Sequence, residues 1–96
     1  MSNKHGGLFT YTHFNNKIVA VVSLTCETDF AERTVLFKQI GNEFAKQLAC
    51  SDSESVENFL QEECITSDGI VSEQLKSLGK ELKEKVSVEK ILKLVF

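Results

Sequence analysis

Apolar residues crowd the first quarter of the chain. Leu8-Phe9-Thr10-Tyr11-Thr12-His13-Phe14 is rich in aromatic and β-branched types, and Asn15-Asn16 follows with side chains that tolerate a positive φ. The next run, Lys17 to Thr25, is apolar at Ile18, Val19, Ala20, Val21, Val22 and Leu24, so both of its faces need cover. The pair predicts a β-hairpin turning at Asn15-Asn16. After Thr28-Asp29-Phe30 the period becomes helical, with Phe37, Ile40, Phe44 and Leu48 at three- and four-residue intervals. Asp29 with Glu32 three residues on has the outline of a capping box, which places one helix from Phe30 or Ala31 to Ala49.

Ser51-Asp52-Ser53-Glu54-Ser55 breaks that pattern, and Val56, Phe59 and Leu60 predict a brief helix after it. Thr66-Ser67-Asp68-Gly69 is a second breaker. Beyond it, Val71, Leu75, Leu78 and Leu82 form one stripe of an amphipathic helix. The tail from Val86 to Phe96 reads as a strand, with Leu92, Leu94 and Phe96 on one face and Ile91 and Val95 on the other. The predicted class is α+β: a three-stranded, mostly antiparallel sheet with two or three helices packed on one face. Those helices cover one side only. A second copy of the sheet would cover the other, so a homodimer is expected.

The chain has 96 residues, 42% apolar and 26% charged, which fits one domain, taken as residues 1–96 with 1–6 flexible. Its net charge is −3 with both signs interspersed, so no footprint for a phosphate backbone is evident and nucleic acid is not an expected direct partner. The first seven residues have neither the apolar run of a signal peptide nor the Arg-rich character of a transit peptide, and no stretch reaches the roughly 18 apolar residues of a membrane span. A cytoplasmic protein, or one of an organelle matrix or virus-infected cell, is expected, without membrane contact. Cys26, Cys50 and Cys64 are odd in number and far apart, and with His5 and His13 they match no ligand spacing, so no disulfide framework, metal or cofactor is expected.

The segment Leu24-Thr25-Cys26-Glu27-Thr28-Asp29-Phe30-Ala31-Glu32-Arg33 resembles the signature of the elongation factor Ts family, in which a strand runs through a Cys-Glu-Thr-Asp-Phe-Val-Ala-Arg-like motif directly into a helix with a Phe near its start, here Phe37. Tyr11-Thr12-His13 before a polar turn is similar to the family's Tyr-x-His hairpin, with Asn15-Asn16 in place of the usual glycines. From Phe59 to Phe96 the likeness is looser: Gly79-Lys80-Glu81 stands where the family has Gly-Glu-Asn, and Val88-Glu89-Lys90-Ile91 replaces an Arg-Arg-Phe-like strand. The family's N-terminal helical module and its long helical insertion have no counterpart here.

The resemblance implies a partner-binding loop rather than an enzyme site. Thr28, Asp29, Phe30 and Arg33 would contact elongation factor Tu, with Cys26 and Glu27 supporting the loop. Phe30 would be a wedge into a pocket of the partner's nucleotide-binding domain, and Asp29 would compete near its magnesium and phosphate site, so that the chain promotes GDP release by favouring the empty state. A plainer reading makes Phe30 a first-turn core aromatic and Asp29 only a helix cap. Two rival functions are a module that grips elongation factor Tu without exchange, and an enzyme using Cys26 as nucleophile with His13 as base across the hairpin.

Overall fold

The computed structural model describes residues 5–13, 16–51, 53–64 and 69–96. Three strands, β1 (His5–His13), β2 (Ile18–Cys26) and β3 (Ser87–Val95), form an antiparallel sheet in the order β1-β2-β3. Between β2 and β3 lie α1 (Asp29–Glu32), α2 (Val35–Ala49), α3 (Val56–Leu60) and α4 (Val71–Leu82). The class is the α+β arrangement that the periodicities predict, with four helices against one face. β1 begins at His5, inside the leader read as flexible, and Phe14 and Asn15 lie outside the described residues. The turn is closed by the Lys17 amide donating to His13 O at 3.1 Å, and Asn16 has the positive φ, 69°, that its residue type tolerates.

β2 is the centre of the molecule. Ala20, Val22 and Leu24 on its inner face are buried under α2, whose stripe of Phe37, Ile40, Phe44, Ala45 and Leu48 supplies most of the helical side of the core. The Phe9 ring lies against α2 at Gly41, where a Cβ would approach it to 2.3 Å, and meets Phe37 edge-on at 5.7 Å between centroids. Phe44 meets Phe59 of α3 in the same manner at 5.9 Å, and Val71, Leu75 and Leu78 of α4 complete the layer. A polar knot secures the α2–α3 connection. Glu62 accepts hydrogen bonds from the hydroxyls of Ser51 and Ser53 and from Gln47 Nε2, while Lys93 Nζ reaches Ser51 O at 2.5 Å. Partial burial pushes the Glu62 carboxyl up, but these donors outweigh it and hold the group below the ordinary range.

Two expectations need correction. The single helix from Phe30 to Ala49 is two: α1 is one turn, and the backbone is extended at Thr34 (φ −71°, ψ 149°) before α2 begins. The Thr34 hydroxyl donates to Ala31 O at 2.8 Å and accepts from Phe37 N at 3.1 Å, so one side chain ends the first helix and caps the second. The tail strand, second, is not in uniform alternation. Its register against β2 slips between Ser23 and Leu24, pairing Leu24 with Val88 but Ser23 with Lys90, so Glu89 is the extra residue of a β-bulge. The slip lets Val88 and Ile91 both turn inward and leaves Leu92 and Leu94 on the outer face, 53% and 59% exposed.

α4 ends at Lys83, which is left-handed at φ 58°. The Lys83 amide donates to Lys80 O and the Glu84 amide to Gly79 O, the paired bonds of a Schellman motif that normally ends in glycine. Lysine is strained in that conformation. Lys83→Gly is expected to stabilise the chain by about 1 kcal/mol, read as a higher denaturant midpoint at unchanged slope; an unchanged or lower midpoint would mean that Lys83 carries no such strain.

Candidate functional site

The segment between β2 and α2 is held from both ends. Thr28, extended at φ −134° and ψ 157°, is the N-cap of α1, and its Oγ1 accepts from Ala31 N at 3.3 Å. Asp29 is therefore not the cap. It sits in the first turn, where a carboxylate suits the helix dipole, and pairs with Arg33 across one turn at 3.4 Å. Both side chains are exposed, so the pair contributes little to stability. Glu32, expected to close a capping box with Asp29, accepts instead from Gly6 N at 2.8 Å, with His5 Nδ1 at 3.5 Å, and ties α1 to the start of β1.

Phe30 is 76% exposed. That removes the reading of it as a core aromatic: the inward member of this turn is Ala31, at 1% exposure. One residue past the helix break, Val35 is also exposed, so two apolar side chains flank the Arg33-Thr34 step.

What fixes the loop is a residue far along the chain. Glu84, just past the end of α4, accepts from the amides of Glu27 (2.8 Å) and Thr28 (3.0 Å) at one carboxylate oxygen and from the Thr28 hydroxyl (2.5 Å) at the other. Glu27 returns the contact by accepting from Lys85 N at 2.6 Å. The two glutamates thus form a reciprocal clasp between the β2–α1 loop and the α4–β3 loop. The Thr28 hydroxyl, ahead of the two amides, holds the Glu84 carboxyl below the ordinary carboxylate range. A depressed folded pKa means the clasp is complete above the unfolded value and is lost as pH falls through the folded one. The Glu27 and Thr28 amide resonances should therefore be constant above about pH 5 and titrate with a midpoint below the usual 4.5; a midpoint at or above that value would show the carboxylate is not clasped.

The Cys26 Sγ donates to Thr28 O at 3.3 Å. Burial, the leading influence, pushes its thiol up, the opposite of what a nucleophile needs. The pairing with His13 also fails on register. Cys26 lies opposite His5 and His13 opposite Ile18, at the two ends of the hairpin and about 26 Å apart at the rise of a strand. The His13 ring is engaged by the Tyr11 hydroxyl at 3.0 Å. Among the described residues no three His, Cys, Asp or Glu side chains are grouped as metal ligands would be, and no helix is long and apolar enough to cross a membrane.

The structure thus places Cys26 at the end of β2, Glu27 and Thr28 in the loop after it, Asp29 and Phe30 in α1 and Arg33 at the C-cap of α1, and adds Glu84, Thr34 and Val35 to them. Glu84 could have been suspected from the resemblance. The left-handed position that glycine would suit is Lys83, so Lys83-Glu84, four residues beyond Gly79-Lys80, has the geometry for a Gly-Glu pair.

No family model matches the chain. Curated relatives do. It is 42% identical over 77 residues to elongation factor Ts of Thermosipho melanesiensis, an alignment covering 78% of this chain and 39% of the relative. It is 38% identical over 79 residues to that of Fervidobacterium nodosum, covering 80% and 40%. Against elongation factor Ts of Methylacidiphilum infernorum it is 34% identical over 96 residues, covering 94% and 46%. The chain spans less than half the length of these relatives. A strand that ends at the Cys of Cys-Glu-Thr-Asp-Phe and leads into a capped turn, in a sequence alike along most of its length, places the chain in the elongation factor Ts family, as a stretch of its core.

Proposed function

We propose that this chain, as a single domain, grips elongation factor Tu through Thr28, Asp29, Phe30 and Arg33 and promotes GDP release as a minimal guanine-nucleotide exchange factor of translation elongation, acting in the cytoplasm without enzyme chemistry, cofactor or direct nucleic-acid contact. The observation that carries this reading is Phe30: a large apolar side chain in the signature of the family, 76% exposed on a loop that hydrogen bonds fix at both ends. A preorganised apolar projection gains its energy from a pocket in a partner rather than from its own core. Exchange of this kind needs only that the chain bind the nucleotide-free partner more tightly than the loaded one.

Stopped-flow release of a fluorescent GDP from elongation factor Tu tests it. Release accelerated by the chain in a dose-dependent manner supports exchange. The second reading is a module that binds elongation factor Tu without exchange. Binding with no acceleration selects that one.

The outer face of the sheet supports the expected homodimer. Leu8, Leu92 and Leu94 project from it, and Leu8, Val21 and Leu92 border a depression of about 270 Å³, so knob and hole lie on one face as a two-fold contact requires. Sedimentation should give a dimer at micromolar concentration that Leu92→Lys converts to monomer; a monomeric wild type excludes this arrangement.

A further inference from the structure

The Glu84 clasp forms one wall of a groove of about 490 Å³ between α4 and the segment leading to β3. Its floor is apolar: Leu75, Gly79 and Val86. Its rim is basic, with Lys76 and Lys80 one helical turn apart on α4 and Lys85 on the facing segment. In a chain of net charge −3 this is a local reversal of sign. Lys76, Lys80 and Lys85 are exposed, and no carboxylate among the described residues pairs with their ammonium groups. The one acid in the lining, Glu84, spends both carboxylate oxygens on the Thr28 loop.

We propose that this groove is a second contact for the protein partner held by the Thr28–Phe30 loop, and that it receives an acidic segment carrying an apolar side chain. The proposal rests on the reading of that loop as a protein-binding element. A largely apolar lining to which three exposed lysines contribute suits a carboxylate-bearing segment that also has a hydrophobic residue to bury. Continuity supplies the second argument, because Glu84 lines the groove and also holds the loop at Thr28, two residues before Phe30. A nucleic acid is the poorer fit: the lining offers no aromatic side chain for stacking, and the rest of the chain carries the negative excess.

The test compares the affinity of elongation factor Tu for the wild type, Phe30→Ala, the groove variant Lys76→Glu/Lys80→Glu and the remote Lys46→Glu of α2, each across a salt series. All the substituted side chains are exposed, and thermal melts establish that each variant is folded. The groove variant should bind about tenfold more weakly at low salt, chiefly through slower association, and should lose most of the salt dependence of the wild type, whereas Lys46→Glu stays within about twofold. Binding that depends on Phe30 yet shows the same affinity and salt slope in the groove variant would overturn the groove proposal alone. No binding by the folded wild type would overturn the loop reading and the groove proposal with it. Capture of a labelled oligonucleotide, lost in the groove variant while elongation factor Tu binding is untouched, would assign the lysines to phosphate and overturn the proposal.

Discussion

Phe30→Ala is expected to weaken binding to elongation factor Tu by at least about tenfold and to remove the acceleration of GDP release, while moving the melting temperature by no more than about 4 °C. The two halves of this expectation have one cause. At 76% exposure the ring contributes little to the core, so its truncation leaves neither a cavity nor an unpaired group. The loop that carries it keeps every anchor after truncation: the Thr28 cap, the Glu84 carboxylate and the Thr34 hydroxyl are all independent of the ring. What is lost is only what the ring would bury in a partner, and a few large side chains in well-packed pockets carry most of the binding energy of an interface, at more than about 2 kcal/mol each. Calorimetric binding and stopped-flow release measure the first half and a thermal melt the second. A variant that binds normally but melts much lower would return Phe30 to the core and overturn the proposal that it is a wedge.

The parts of this fold that were legible are those written in local periodicity. Each strand of the hairpin, the α2 stripe and the α4 stripe are patterns within a dozen residues, and side-chain type or helical spacing reports them directly. The break at Thr34 was not, because neither glycine nor proline marks it. Phe30 and Phe37 are compatible with one continuous helix, and only the Thr34 hydroxyl, by bonding Ala31 O and Phe37 N, decides against it. The bulge at Glu89 was hidden for a related reason. Val86 and Val88 share a parity with Leu92 and Leu94, so the tail reads as unbroken alternation, yet the first pair is buried and the second exposed. A register slip is a property of two strands and is absent from the pattern of either.

The site divides in the same way. The candidate segment from Cys26 to Arg33 is contiguous, so a signature can mark it. The Glu84 clasp is not, since 56 residues separate Glu84 from Thr28 and the bonds exist only once α4 has packed on α2. The loss of the Cys26–His13 pairing has the same origin in reverse: residues that a hairpin could in principle unite are held at opposite ends by the register. Local chemistry was readable, and long-range juxtaposition was not.

Phe59→Ala should produce the opposite signature to Phe30→Ala. Phe59 is fully buried, meets Phe44 edge-on and is the one buried residue of α3, a five-residue helix that cannot persist without tertiary packing. Truncating it leaves a cavity beneath α3, at an expected cost of about 3–5 kcal/mol, roughly a fifth or more of what a chain of this size has to lose. The melting temperature should fall by at least about 12 °C. The Glu84 clasp and the Phe30 ring lie outside this part of the core, so the fraction that remains folded should bind elongation factor Tu as the wild type does, with a weaker apparent affinity only where unfolding competes. Measuring binding well below the new melting point separates the two: an unchanged affinity there assigns Phe59 to stability and Phe30 to recognition, whereas a loss as large as that of Phe30→Ala would mean the loop depends on α3 packing and is not held by its own hydrogen bonds.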